Sequence, residues 1–334
     1  MANIGWKIVL LNIFAMFLVI LAGWIARRRG YLNEHSTRHL SKFVVDFAMP
    51  AMVLTSLLRT IDPHRLAENM IFPLIGMTIL FIGLAVGWAI SPLCSSKSQQ
   101  STFVFLVAIA NWIYLPLPIA QQLYGDDGVR AVLLFNIGAQ VMLWTVGVWT
   151  LRAGKPDWTS LRNLVTNPGI IATFAGIVLA LLIPAARTIE GASLAHLSAL
   201  SLVAKTVVTA LVLLGSLTIP LALVVTGAQL GGLDLSDHSS SRALSGVVIG
   251  RLLLTPLVVI ALFWAVHYCG YTMAEHARMV AYLIACMPVA VSCSMFTDVF
   301  GGDTSLAARG IFYTSLLSLL SVPAIFYLIQ WMHF

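Results

Sequence analysis

Charge is what this chain has least of: only 10% of its 334 residues are Asp, Glu, Lys or Arg, and just 13 are acidic. A domain soluble in water carries roughly a quarter of its residues charged, so this scarcity excludes an ordinary globular protein. Cysteine is equally sparse. Cys94, Cys269, Cys286 and Cys293 form no CxxC pair and share no metal-ligand spacing with histidine, so they read as small apolar packing residues. The sequence has no HExxH pair and no nucleophile elbow, and its eight histidines fall mostly in loops or at span ends. The expectation is a protein that is not an enzyme and that holds neither a metal nor a cofactor.

What fills the chain instead is apolar. It is 59% hydrophobic with a mean hydropathy of +0.93. Continuous runs rich in Leu, Val, Ile and Ala lie near 6–26, 43–59, 70–91, 101–123, 129–151, 167–185, 206–230, 244–268, 279–297 and 310–331. Each approaches the ~20 residues that cross a bilayer as a helix, whereas barrel strands would alternate over about ten. The fold class expected is all-α integral membrane, with ten transmembrane helices and the lipid bilayer as solvent.

A net charge of +6 could suggest a nucleic-acid partner, but the basic residues occupy short loops between spans. There they set orientation, and no nucleic acid is expected. With the N-terminus outside, the cytoplasmic side holds Arg27, Arg28, Arg29, Arg38, Lys42, Lys97, Arg152, Lys155, Arg162, Arg242 and Arg309. The opposite side holds Lys7, Arg59, Arg65, Arg130, Arg187, Lys205 and Arg278. An even number of spans returns the C-terminus to the same side, so both termini are expected to be periplasmic in a bacterial inner membrane. The first apolar run is span-length and its positive charges follow it, which reads as a helix that stays and not as a cleaved signal.

Residues 1–151 and 167–334 carry related marks in the same order, joined by a polar cytoplasmic linker at 152–166 that contains Lys155, Pro156 and Asp157. The second span of each half has a proline within an apolar stretch, Pro50 and Pro220. The fourth ends at an aromatic residue and glycine, Tyr124-Gly125 and Phe300-Gly301. Five spans per half is an odd number, which inverts one repeat against the other, the arrangement by which many transporters form a central site.

Within the fourth span of each half the helix is expected to break. Asn111 to Pro118 and Cys286 to Asp298 interrupt apolar runs, and Pro116, Pro118 and Pro288 lack the N–H and add the ring that oppose a continuous helix. The half-helices that result have N-terminal ends with partial positive charge, which suit a carboxylate. Asn111 either binds that group directly or caps its own half-helix. Asp46, one turn before Pro50, is either a proton-coupling group or a solvated carboxylate near the interface. Arg251 either pairs with an acidic residue or guides an anion in function, or else makes a structural salt bridge or snorkels. Asn136 and Gln140 share a helix face and either line the cavity or bond between helices. Asp298 and Asp303 flank the end of the second crossover as ion or proton groups or as loop carboxylates. Ser292, Ser294, Thr314 and Ser318 supply neutral oxygens.

Taken in order, these motifs resemble the auxin efflux carrier family. The first crossover, Asn111-Trp112-Ile113-Tyr114-Leu115-Pro116-Leu117-Pro118 followed by Tyr124-Gly125, is similar to the family pattern of an asparagine, a proline seven residues on and a glycine seven beyond that. Arg251 five residues before Pro256, and the tail from Met287-Pro288 through Phe300-Gly301 to Val322-Pro323, resemble the family's last three spans. The resemblance implies two inverted five-helix repeats similar to bile acid symporters. Helices 1, 2, 6 and 7 would form a scaffold, and helices 3–5 and 8–10 a transport unit in which broken helices 4 and 9 cross. It implies an elevator-type carrier of small organic anions, auxin-like molecules among them, that forms a homodimer. The substrate would lie against Asn111, Tyr114, Pro116, Pro118, Pro288, Val289, Asn136 and Gln140, with Asp46, Arg251 and Asp298 as charge or coupling candidates. Trp112, Ile113 and Tyr114 stand where many relatives have small residues, and Cys293 where some have a second proline. The long central loop of the plant members is missing, which favours the bacterial type. Sodium-coupled symport and a non-transporting sensor are the alternative readings, and coupling to proton or sodium is left open.

Overall fold

The computed structural model describes residues 2–60, 70–152, 162, 166, 168–183, 198–232, 241–270 and 273–331. Among them it is all-helical; the one β-type pairing is an isolated antiparallel bridge between Ala110 and Val289. Most of the linker, including Lys155, Pro156 and Asp157, lies outside the described residues, as do Arg65 and Arg187.

Helix α1 spans Ala2–Arg28. Helix α2 (Glu34–Phe43) starts at a capping box in which Asn33 Oδ1 accepts from Ser36 N at 2.8 Å and Ser36 Oγ accepts from Asn33 N at 2.9 Å. It continues through a π turn, Val44–Ala48, into α3 (Met49–Thr60). Helix α4 is Ile71–Ile90, α5 is Lys97–Ala108, and α6 is Pro116–Met142, with Gly125 at φ 57° making a corner. A second π turn, Leu143–Gly147, leads into α7 (Val148–Leu151). The later helices are α8 (Pro168–Leu182), α9 (Ala199–Ser216), α10 (Thr218–Gly231), α11 (Ser241–Ile249), α12 (Thr255–Tyr268), α13 (Glu275–Ala285), α14 (Cys293–Phe300) and α15 (Thr304–Trp331). A third π turn, Gly250–Leu254, joins α11 to α12.

Two of the three π turns directly precede a proline, Pro50 and Pro256. A proline ring clashes with the carbonyl four residues back and offers it no N–H. The wider turn takes up that misfit, and Thr255 Oγ1 donates to the Gly250 carbonyl at 2.8 Å in the same place. Pro220 is handled differently, at the third position of α10 just after the chain turns at Leu217.

Among the described residues six helical stretches are long and apolar enough to cross a membrane: Glu34–Arg59, Ile71–Leu93, Pro116–Leu151, Ala199–Gly231, Arg242–Tyr268 and Thr304–Ile329; Pro168–Leu182 is a shorter apolar helix. The boundaries differ from the apolar runs in places. The run at 101–123 stops as a helix at Ala108, and the one at 206–230 begins at Ala199, because Ser198 caps it with its side chain to Ser201 N.

Close backbone approach through glycine sets the helix pairs. Helix α1 packs along α10, where a Cβ on Gly227 would overlap the Ile20 carbonyl and one on Gly23 the Val224 carbonyl. Helix α8 packs along α3, and α4 along α6, where Gly138 meets the Pro73 carbonyl. Helix α5 is enclosed nearly all round, with Phe103, Phe105, Leu106 and Val107 fully buried, so the core lies at the two breaks. Leu200, Val203, Val207 and Leu213 of α9 point outward, as lipid-facing residues do.

Candidate functional site

The chain leaves helical geometry between Ala108 and Pro116, and again between Ala285 and Cys293. The two open segments meet. Asn111 N donates to the Pro288 carbonyl at 2.8 Å and Ala290 N to the Ile109 carbonyl at 3.1 Å, closing the antiparallel bridge. Val289 N donates to Thr314 Oγ1 at 3.2 Å, which fixes the second break to α15. Backbone groups that the prolines and the breaks release are thus paired across the crossing, which a non-helical segment at membrane depth requires.

Beside this crossing lies a cavity of about 190 Å³. One wall comes from the breaks and their neighbours: Ala110 to Tyr114, Gln140, Leu143, Trp144, Ala290 to Ser292 and Phe296. The other comes from Ser41, Val44, Val45 and Met49 of the α2–α3 helix and from Ala222, Val225, Thr226 and Gln229 of α10. Among the described residues no charged side chain lines it; its polar groups are amides, hydroxyls and two indoles. Asn111 is 5% exposed, and its Oδ1 accepts from Tyr114 N at 3.2 Å, so it both caps the turn and faces the cavity. Tyr114 bridges the two walls, its hydroxyl 3.7 Å from Met49 Sδ. Gln140 is 9% exposed and its buried Oε1 has no partner among the described residues; one turn on, Trp144 Nε1 is also buried and has none among them. Trp144 packs on Phe296, which stacks on Phe300.

The other sequence candidates sit elsewhere. Asn136 is buried with its Oδ1 accepting from Trp112 Nε1 at 3.1 Å, and it does not reach the cavity. Pro116, Pro118, Pro288 and Val289 shape the breaks from behind the wall. Asp46 lies half-buried in the first π turn, beside the lining residues Val44 and Val45. The side chain of Asp298 lies outside the described residues. Asp303 caps α15 through Oδ1 to Leu306 N at 2.8 Å, and its own N–H donates to Thr102 Oγ1. Ser294, Thr314 and Ser318 donate to carbonyls one turn back, whereas Ser292 faces the cavity.

Arg251 is fully enclosed, and among the described residues it bonds no acid. Its Nε donates to the Met287 carbonyl at 3.0 Å, Nη1 to Val107 at 3.0 Å and to Ala108 at 3.5 Å, and Nη2 to Ala285. Sequence reasoning missed Trp144, Thr226, Gln229 and Phe296. Gln229 and Trp144 were visible as polar atoms in apolar helices, but only the packed fold sets α10 across the cavity from the π turn that holds Trp144.

A family model described as membrane transport protein matches this chain over residues 8–157 and 155–326. The chain belongs to the auxin efflux carrier family. An uncharacterized transporter of Methanothermobacter thermautotrophicus is 24% identical over 318 residues, covering 93% of this chain and 95% of the relative. Another from Methanocaldococcus jannaschii is 21% identical over 321 residues, with the same coverage. The protein PIN-LIKES 1 of Arabidopsis thaliana is 22% identical over 339 residues, covering 87% of this chain and 72% of that one. As a member of the auxin efflux carriers, the chain is a multi-pass membrane transporter.

Proposed function

We propose that this carrier moves small organic anions by elevator-type alternating access. The observation that carries the reading is the cavity between two helix groups. The crossing with α6 forms one wall and the α2–α3 and α10 helices form the other, so a sliding displacement of one group against the other would carry the contents across the membrane. Among the described residues the wall holds no carboxylate to repel an anion, and half-helices α6 and α14 begin beside it, each with a partial positive charge at its start.

The ten-span, inverted-repeat arrangement accounts for the helix pairs: α1 with α10 and α8 with α3 place the first helix of each half against the second of the other. With the N-terminus outside, the crossing lies near the middle of its spans while Ser41, Val44, Gln140, Trp144, Thr226 and Gln229 lie toward the cytoplasmic ends of theirs, which reads as an inward-facing conformation. The N- and C-termini are then periplasmic in a bacterial inner membrane. Dimerisation would use the outward apolar face of the scaffold.

Flux of labelled mono- and dicarboxylates and indole-3-acetate into proteoliposomes, at fixed and varied proton and sodium gradients, tests the reading. Saturable flux of an anion that falls at least about tenfold in Asn111→Ala is expected. Saturable binding with no flux under any gradient would instead support the sensor.

A further inference from the structure

The Arg251 guanidinium touches the ends of two helices at once. Val107 and Ala108 are the last residues of α5, and Ala285 is the last of α13, with Met287 two residues beyond. Their carbonyls are the acceptors that a helix leaves unpaired at its C-terminus, and all are held by this one side chain. A helix C-terminus carries roughly half a negative charge and an N-terminus roughly half a positive one. At a crossing of two broken helices the two kinds of end face each other and would largely cancel. A guanidinium carries one full positive charge, which matches the two C-terminal ends together. The starts of α6 and α14 carry about one positive charge in sum and face no carboxylate among the described lining residues of the cavity.

We propose that Arg251 is the positioning residue that gives the crossing its preference for a single negative charge, by neutralising the C-terminal ends of α5 and α13. The inference rests on the anion-carrier reading and names the class within it: monoanions over neutral isosteres. A second feature of the same wall points to a ligand there, since Gln140 is nine-tenths buried and its Oε1 is unpaired among the described residues. Arginine suits the task because its planar fork reaches several carbonyls at once and does not lose its proton. Its helix opens into a π turn at Gly250–Leu254, which places the side chain between the two breaks.

The test is calorimetric titration of the full chain in detergent with two isosteric pairs, benzoate against benzamide and indole-3-acetate against indole-3-acetamide. Wild type is expected to bind a carboxylate at least about tenfold more tightly than its amide. Arg251→Gln is expected to bring that ratio to within about twofold of unity, while Arg251→Lys, which keeps the charge, retains most of it. A purely structural role would weaken carboxylate and amide by the same factor, and that result overturns the inference while leaving the anion carrier standing. Should the Gln variant not fold, Arg251→His decides: a carboxylate-to-amide ratio that falls toward unity as the pH is raised through the imidazole titration supports the inference, and a ratio that does not move with pH overturns it. Wild type that binds neither carboxylate, or prefers the amide, overturns the anion reading and the inference with it.

Discussion

The indole Nε1 of Trp112 donates to Asn136 Oδ1 at 3.1 Å, tying the first broken segment to the helix that follows it. Both side chains are buried, at 7% and 1% exposure. A polar pair enclosed in this way stabilises modestly while intact and costs more when one partner is left alone. Trp112→Phe leaves the Asn136 oxygen unpaired, and Asn136→Leu leaves the indole N–H unpaired. Each is expected to destabilise by about 1–3 kcal/mol. The double variant is expected to lose less than the sum, because the second change removes the orphan that the first created. Thermal unfolding in detergent of the four proteins measures this; strict additivity would refute the pairing.

Gln140 presents the opposite case, a buried amide oxygen with no partner among the described residues. Replacing it by leucine removes an unsatisfied group, so Gln140→Leu is expected to stabilise the empty carrier by ~1 kcal/mol. The same change is expected to shrink the thermal shift that a transported anion produces. A site held at a cost in stability behaves in this way. A lower melting temperature for the variant, or an undiminished ligand shift, would show that Gln140 serves packing instead.

These two residues also show how far the amino-acid order reaches. Asn136 and Gln140 are one turn apart on α6, and periodicity puts them on one face. Their different fates depend on Trp112, which sits on a segment that runs outside any helical period, and no spacing rule reports where its indole turns. The breaks themselves were legible, because Pro116, Pro118 and Pro288 act through local sterics. Asn111 and Tyr114 were legible as candidates because they lie in the first break, and Gln140 because it shares a helix face with Asn136, as either a lining or an interhelical residue. Arg251 was visible as a costly intramembrane charge, but its partners are main-chain carbonyls, which have no identity in a sequence. The walls built by Ser41, Val44, Val45 and Met49 and by Ala222, Val225, Thr226 and Gln229 depend on glycine contacts between distant helices, which only the packed fold brings about.

Two native cysteines report the orientation. Cys94 follows the span Ile71–Leu93, on the side assigned to the Arg27–Arg29 cluster; Cys269 is exposed at the end of α12, on the opposite side. Burial, and then the nearby Asp303 carboxylate, push the Cys94 thiol up to about 11. The thiolate is the reactive form, so at neutral pH Cys94 is slow, and its rate is expected to rise about tenfold per pH unit until pH passes that value. A membrane-impermeant maleimide added to intact cells is expected to label Cys269 and to spare Cys94. After permeabilisation Cys94 is expected to react as well, more slowly than Cys269 at pH 7.5 and catching up as the pH is raised. Peptide mapping of Cys269→Ser and Cys94→Ser proteins assigns each label. Labelling of Cys94 but not Cys269 from outside would invert the topology and make the cavity beside Asn111 outward-facing.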